Sequence, residues 1–248
     1  MSRKRNKLGL TLGALLTVLA ISGAMLLAGA YAETNNPHFK GLNTTSSKAE
    51  ETIYSGTSEA SGGTQTFEGA WTVSCYHAVA KAKSVTGLDE ELEIEVEYFG
   101  TKTSTEEPTC ETSTGLVVDV NMEGCKYVPK LSAGTTAVVE VKCPVGKEID
   151  IKITNGPGEE WCTVRIGPQK GINHILFHEV STNNPTRTDL TAEFVLEGLK
   201  YKAQPPILCG VKNETENNGK IKGNILFTGT DSTGKNPRDL KIESVTTK

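Results

Sequence analysis

Gly124-Cys125-Lys126-Tyr127, a polar turn, Thr136-Ala-Val-Val-Glu-Val-Lys-Cys143, a Pro144-Val-Gly-Lys turn, Glu148-Ile-Asp-Ile-Lys-Ile-Thr154, an Asn155-Gly-Pro-Gly turn and Trp161-Cys-Thr-Val-Arg-Ile166 follow one another without a break in pattern. Apolar and polar residues alternate within each piece, and turn residues separate the pieces. That is the signature of antiparallel strands with one face buried and the other in water. Three of the chain's six cysteines lie in this stretch. It predicts an all-β protein pinned by disulfides.

The same period of two extends outward. Leu92, Ile94, Val96 and Tyr98 alternate with Glu91, Glu93, Glu95 and Glu97. Leu116, Val118, Val120 and Met122 form a second such series, and Leu190, Ala192, Phe194 and Leu196 a third. Val138–Val141, Ile172–Val180 and Ile221–Phe227 look more deeply buried. Shorter candidates are Tyr76–Lys83, Lys200–Lys202 and Leu240–Val245. About a dozen short strands at this spacing predict an antiparallel β-sandwich over residues 64–248, or two small sandwiches in tandem.

Before that body stand a leader and a spacer. Arg3, Lys4, Arg5 and Lys7 precede an apolar run to Ala30, and Ala30-Tyr31-Ala32 is an A-x-A site. Residues 1–32 are therefore expected to be a signal peptide cleaved before Glu33. The run is also long enough to remain as an uncleaved anchor, and only in that case is membrane association expected. Residues 33–63 are polar and predict a flexible linker. Without the leader, 22 basic residues face 30 acidic ones, a formal charge of −8. This charge and the lack of a basic patch speak against nucleic-acid binding.

All six cysteines, at 75, 110, 125, 143, 162 and 209, lie beyond the leader. An even number in an oxidising compartment predicts three disulfides. No C-x2-C pair suggests a zinc site. A hairpin centred on Gly134 sets Cys125 opposite Cys143 and Tyr127 opposite Val141. In a meander, Cys143 and Cys162 would lie ~20 Å apart at ~3.3 Å per residue, beyond disulfide reach. The expected order is therefore nested: Cys125 with Cys143, Cys110 with Cys162, and Cys75 with Cys209.

Other constellations favour structural readings. His174 and His178 share a strand face but stand ~13 Å apart at ~3.3 Å per residue. The acid row Glu91, Glu93, Glu95 and Glu97 is expected to be a solvated face that discourages edge pairing. Asp231–Asp239 faintly resembles a calcium loop without its alternating acids or terminal Glu. Ser74 lies near His77 with no third member marked. Trp71 and Trp161 offer sugar-stacking surfaces if exposed, though tryptophans at strand starts more often belong to a core or rim. No nucleophile elbow, zincin helix, P-loop or dinucleotide fingerprint is present. Accordingly, no catalytic residue, metal or cofactor is predicted.

Thr-Val-Ser-Cys75-Tyr, Gly-Cys125-Lys-Tyr, Cys143-Pro-Val-Gly-Lys-Glu-Ile, Cys162-Thr-Val-Arg-Ile-Gly-Pro-Gln169 and Tyr201…Cys209-Gly together resemble a group of exported actinobacterial proteins with a leader and a six-cysteine, β-rich region. The resemblance spans most of Thr64–Thr228. It implies export and a β fold, and it assigns no activity or site residue. Two departures concern loops: Glu-Thr-Ser-Thr follows Cys110 where an apolar or aromatic residue is expected before Gly115, and the Ile153–Cys162 turn is longer. The expected function is that of a non-enzymatic cell-envelope or extracellular protein, secreted or at the cell surface, with a structural or binding role toward an extracellular or cell-wall partner. The alternatives are a carbohydrate-active hydrolase or accessory carbohydrate-binding module, and a small-molecule or metal binder.

Overall fold

The computed structural model describes residues 34–58, 63–100, 109–155, 159–181 and 187–247. These contain strands and no helix. The expected leader, residues 1–32, and parts of the expected linker, residues 33 and 59–62, lie outside the described residues. Much of the remaining linker, expected to be flexible, forms strand: β1 is Thr34–Asn43 and β2 is Thr52–Thr57. The inward positions of these strands explain why the sequence hides them. They are Pro37, Phe39 and Gly41, then Thr52, Tyr54, Gly56 and Ser58, so only two of the seven are large and apolar. Small residues are needed there. A Cβ on Gly41 would fall 1.9 Å from Thr52 Oγ1, and one on Gly56 would fall 2.5 Å from Ile225.

The chain then runs up and down as eight long staves. β2 continues into β3 (Gln65–Glu68). β4 (Thr72–Cys75) leads into β5 (His77–Ser84). After the short β6 (Leu88–Asp89), β7 (Glu95–Phe99) is followed along the same stave by β8 (Thr109–Thr112). β9 (Val117–Asn121) leads into β10 (Lys126–Ala133), β11 (Thr136–Lys142) into β12 (Ile149–Asn155), and β13 (Glu159–Ile166) into β14 (Gln169–Ser181). Six staves are interrupted at a common waist. The last two, β15 (Thr188–Gln204) and β16 (Thr215–Thr230), run the full length unbroken. β17 (Pro237–Thr247) then pairs through Arg238–Thr247 with the whole of β1.

The ladder closes. β16 pairs with β2 through Leu226–Thr230 and with β3 through Lys220–Lys222, so the last stave joins the first. The third and fourth staves are joined at Glu91↔Lys130 and Ile94↔Tyr127; at the second bridge the paired amides and carbonyls of Ile94 and Tyr127 lie 2.8 and 3.0 Å apart. The molecule is therefore an eight-stranded antiparallel up-and-down barrel. The expected sandwich is corrected on this point. Alternation says only that a strand has a wet face and a dry face; closure depends on a pairing between segments more than 150 residues apart.

The barrel is filled. Val96, Phe194, Ile225 and Phe227 pack on one side of the waist, and Phe67, Val73, Ile149, Ile151 and Ile166 on the other. Tyr98, Tyr127 and Ile221 stand between them. Each half retains a cavity of about 30 Å³ with apolar walls. Ligand pockets for organic molecules are roughly ten times larger. The β1–β17 ribbon covers one end: Phe39 is fully buried and meets Phe177 edge-on at 5.0 Å, and Leu240 is buried with it.

Three disulfides fasten the staves. Cys125–Cys143 continues the β10–β11 ladder, and Tyr127 lies opposite Val141, as the hairpin register requires. The other two differ from the nested expectation. Cys75 joins Cys110 and Cys162 joins Cys209, rather than Cys75 with Cys209 and Cys110 with Cys162. Pairing between consecutive staves explains the difference: the sixth lies beside the seventh, with Thr163 opposite Gln204, which brings the turn carrying Cys209 to Cys162. β4 lies beside β8 with Val73 opposite Thr112 and Ser74 opposite Glu111, so the next pair in register is Cys75 and Cys110.

Candidate functional site

The end of the barrel away from the ribbon concentrates aromatic and apolar side chains. Trp71 sits in the turn between β3 and β4. Trp161 is the extra residue of a bulge in β13, because Ile153 faces Cys162 while the next residue, Thr154, faces Glu160. Bulges re-aim side chains. β4 and β13 stand on opposite sides of the ring, yet the two indoles meet at 6.4 Å between ring centres, tilted by 50°. They therefore cross the mouth of the barrel. Trp71 packs on the core, and its Nε1 is buried without a hydrogen-bond partner.

The Pro205–Val211 turn lies beside them. Cys209 fixes it to Cys162, the neighbour of Trp161. It is braced from within by amides of Cys209, Gly210 and Val211 donating to carbonyls of Pro205, Ile207 and Pro206 at 3.1–3.2 Å. A Cβ on Gly210 would come 3.7 Å from the Ala70 carbonyl, which places this turn against the Trp71 turn. At its tip Ile207 is 89% exposed and Leu208 44%. Val117 at the start of β9, on the same end, is 45% exposed. Sequence reasoning selected the tryptophans but not Ile207 or Leu208. The available signal was an aliphatic pair in a proline turn, outside any alternation.

The remaining candidates are distributed elsewhere. Glu91, Glu93, Glu95 and Glu97 line the outer wall, as alternation requires, and lysines of the fourth and fifth staves meet Glu93 and Glu95 in the middle of this row. Lys126 Nζ lies 3.2 Å from Glu93 and 2.9 Å from Glu95, and Lys142 also donates to Glu93. Lys142 and Lys126 together hold the Glu93 carboxyl below its ordinary value. His174 and His178 are both exposed on the outer face of β14, and His178 lies 3.7 Å from Glu193. His77 rests against Phe99, with ring centres 5.6 Å apart, and Ser74 is in the β4 ladder opposite Thr66 and Glu111. Asp231 caps its own turn. It accepts from the amides of Thr233 and Lys235 at 3.1 Å and Asn236 at 3.3 Å, and from the Asn236 amide group at 2.5 Å. Hydrogen bonds from Asn236 and Thr233 hold its carboxyl well below the usual range. These oxygens are thus already engaged by protein donors. Among the described residues no group of three or more His, Cys, Asp or Glu side chains is placed to hold a metal ion.

Comparisons with protein-family models, with curated proteins and with solved structures give no match for this chain.

Proposed function

We propose that this chain is a non-enzymatic extracellular or cell-envelope binding module that engages its partner through the tryptophan end of the barrel. One observation carries the proposal: Trp71 and Trp161, brought from opposite staves, meet beside the exposed and internally braced Ile207–Leu208 tip. Exposed aliphatics beside aromatics on a rigid frame are characteristic of recognition surfaces. The filled interior leaves no room for an organic cargo, and the middle of the wall's acid row, Glu93 and Glu95, is met by lysines. Three disulfides are typical of proteins in oxidising compartments and support export. The indole pair also favours a second reading, contact with a sugar ring, as in an accessory carbohydrate-binding module.

The chain contains two tryptophans, and both are in this end. Intrinsic fluorescence therefore reports on it directly. The oxidised protein is titrated with soluble cell-wall oligosaccharides and, separately, with purified extracellular proteins. A saturable change in emission that Ile207→Ser/Leu208→Ser weakens supports the proposal. A ligand that binds tightly, leaves the emission unchanged and ignores this variant places the binding surface elsewhere.

A further inference from the structure

Resting on that reading, we infer that the tryptophan end takes an apolar, cationic polypeptide segment: leucine-type side chains flanked by lysine or arginine. The tip supplies the apolar half of the match through Ile207, Leu208 and Trp161. The surrounding rim supplies the other half. Glu159 and Glu160 directly precede Trp161 and are exposed, and Glu214 and Glu216 follow the tip in sequence. The one base in these same segments, 159–161 and 205–216, is Lys212. On the wall, lysines meet Glu93 and Glu95; at the rim the donors are neutral. Glu160 accepts from the Thr163 hydroxyl, Glu214 from Gln204 at 2.8 Å, and Glu216 from the Asn213 amide group at 3.2 Å. The rim therefore keeps its negative charge available to an incoming cation.

This charge pattern selects among occupants. A second copy would bring four carboxylates against four. An anionic lipid surface would be repelled for the same reason. A neutral sugar would leave the aliphatic tip without a matching surface. A segment with apolar side chains and a basic flank satisfies both halves, with charge steering the approach and the apolar contact holding the complex. The disulfide and the three internal hydrogen bonds pre-order the tip, so little freedom is lost on binding.

The test uses the oxidised chain and three probes: an amphipathic peptide of leucines and lysines, its leucine–glutamate counterpart, and phosphatidylcholine vesicles. The expected result is a saturable change in tryptophan emission with the lysine peptide that weakens as salt is raised. Ile207→Ser/Leu208→Ser should weaken it by about tenfold or more, since two exposed aliphatics lose their contact. Glu159→Gln/Glu160→Gln should weaken it by roughly three- to tenfold. The same charge change on the wall, Glu97→Gln with Asp119→Asn, should have less effect. Equal binding of the glutamate peptide, an equal response to vesicles, or equal effects of rim and wall variants overturns the inference. So does silence with the lysine peptide. If an oligosaccharide or folded protein still moves the emission, the binding end stands and only this choice of partner falls.

Discussion

Removing the Cys162–Cys209 bridge, as Cys162→Ala/Cys209→Ala, tests fold and candidate site together. The bridge closes a loop spanning 47 residues. Chain-entropy reasoning for such a loop gives a loss of about 4 kcal/mol. The Cys125–Cys143 bridge spans 18 residues, and the same reasoning gives about 3 kcal/mol. The two also differ in kind. Cys125 and Cys143 extend a ladder that β10 and β11 already form, whereas Cys209 ties the Pro205–Val211 turn to another stave. Loss of Cys162–Cys209 should therefore lower stability by the larger amount and also uncover the indoles in the native state. Equilibrium denaturation in guanidinium, followed by circular dichroism, measures the first effect. The native emission spectrum measures the second, with a red shift expected in this variant and none in Cys125→Ala/Cys143→Ala. A stability loss below about 1 kcal/mol with unchanged native emission would refute the reasoning, because the turn would then be held by its own hydrogen bonds.

Three further outcomes are expected. The Tyr54 hydroxyl is buried without a partner; burial, with a smaller effect of the Asp89 charge, raises its pKa. Tyr54→Phe should therefore stabilise by about 1 kcal/mol, a rise of roughly 2–4 °C in Tm; a clear loss on thermal unfolding would show the hydroxyl to be bonded. Tyr98 and Tyr127 share a buried hydroxyl contact of 3.3 Å at the waist. Either single change to Phe should cost ~1–2 kcal/mol by stranding the other hydroxyl, and the double change should cost less than the sum; an additive double-mutant cycle argues against the contact. The lowered pKa of Asp231 means that its charge-dependent contribution is fully present above about pH 4, the unfolded value, and is lost as pH falls through the folded value. The stability gap between the wild type and Asp231→Asn should therefore hold from neutral pH to about 5 and narrow below about 4; a gap independent of pH contradicts the capping role.

Strands β7, β9, β12 and the first half of β15 were legible because each buries one face and wets the other, and a period of two records that choice locally. The Cys125–Cys143 pair was legible for a related reason, since one tight turn sets the hairpin register. β1 and β2 were not legible, because crowded inward positions are filled by Gly41, Thr52, Gly56 and Ser58. The other two disulfides also escaped, because which staves become neighbours is not written in either partner's own sequence. In the candidate site, Trp71 and Trp161 could be nominated singly, but their meeting required both the bulge at Trp161 and a mouth narrow enough for opposite staves to touch.

By itself, then, the sequence determined the class of the protein: antiparallel strands, alternating faces, a net negative charge and six cysteines in the strand-rich body. These properties depend on each residue's partition between water and a core, and on turn chemistry within a few residues. Only the tertiary structure decided that the sheet closes, that Cys75 meets Cys110 and Cys162 meets Cys209, and that two tryptophans and an aliphatic tip share one end. The contacts involved join segments tens to well over a hundred residues apart. Their existence depends on how all eight staves fit around one core, which no local pattern encodes.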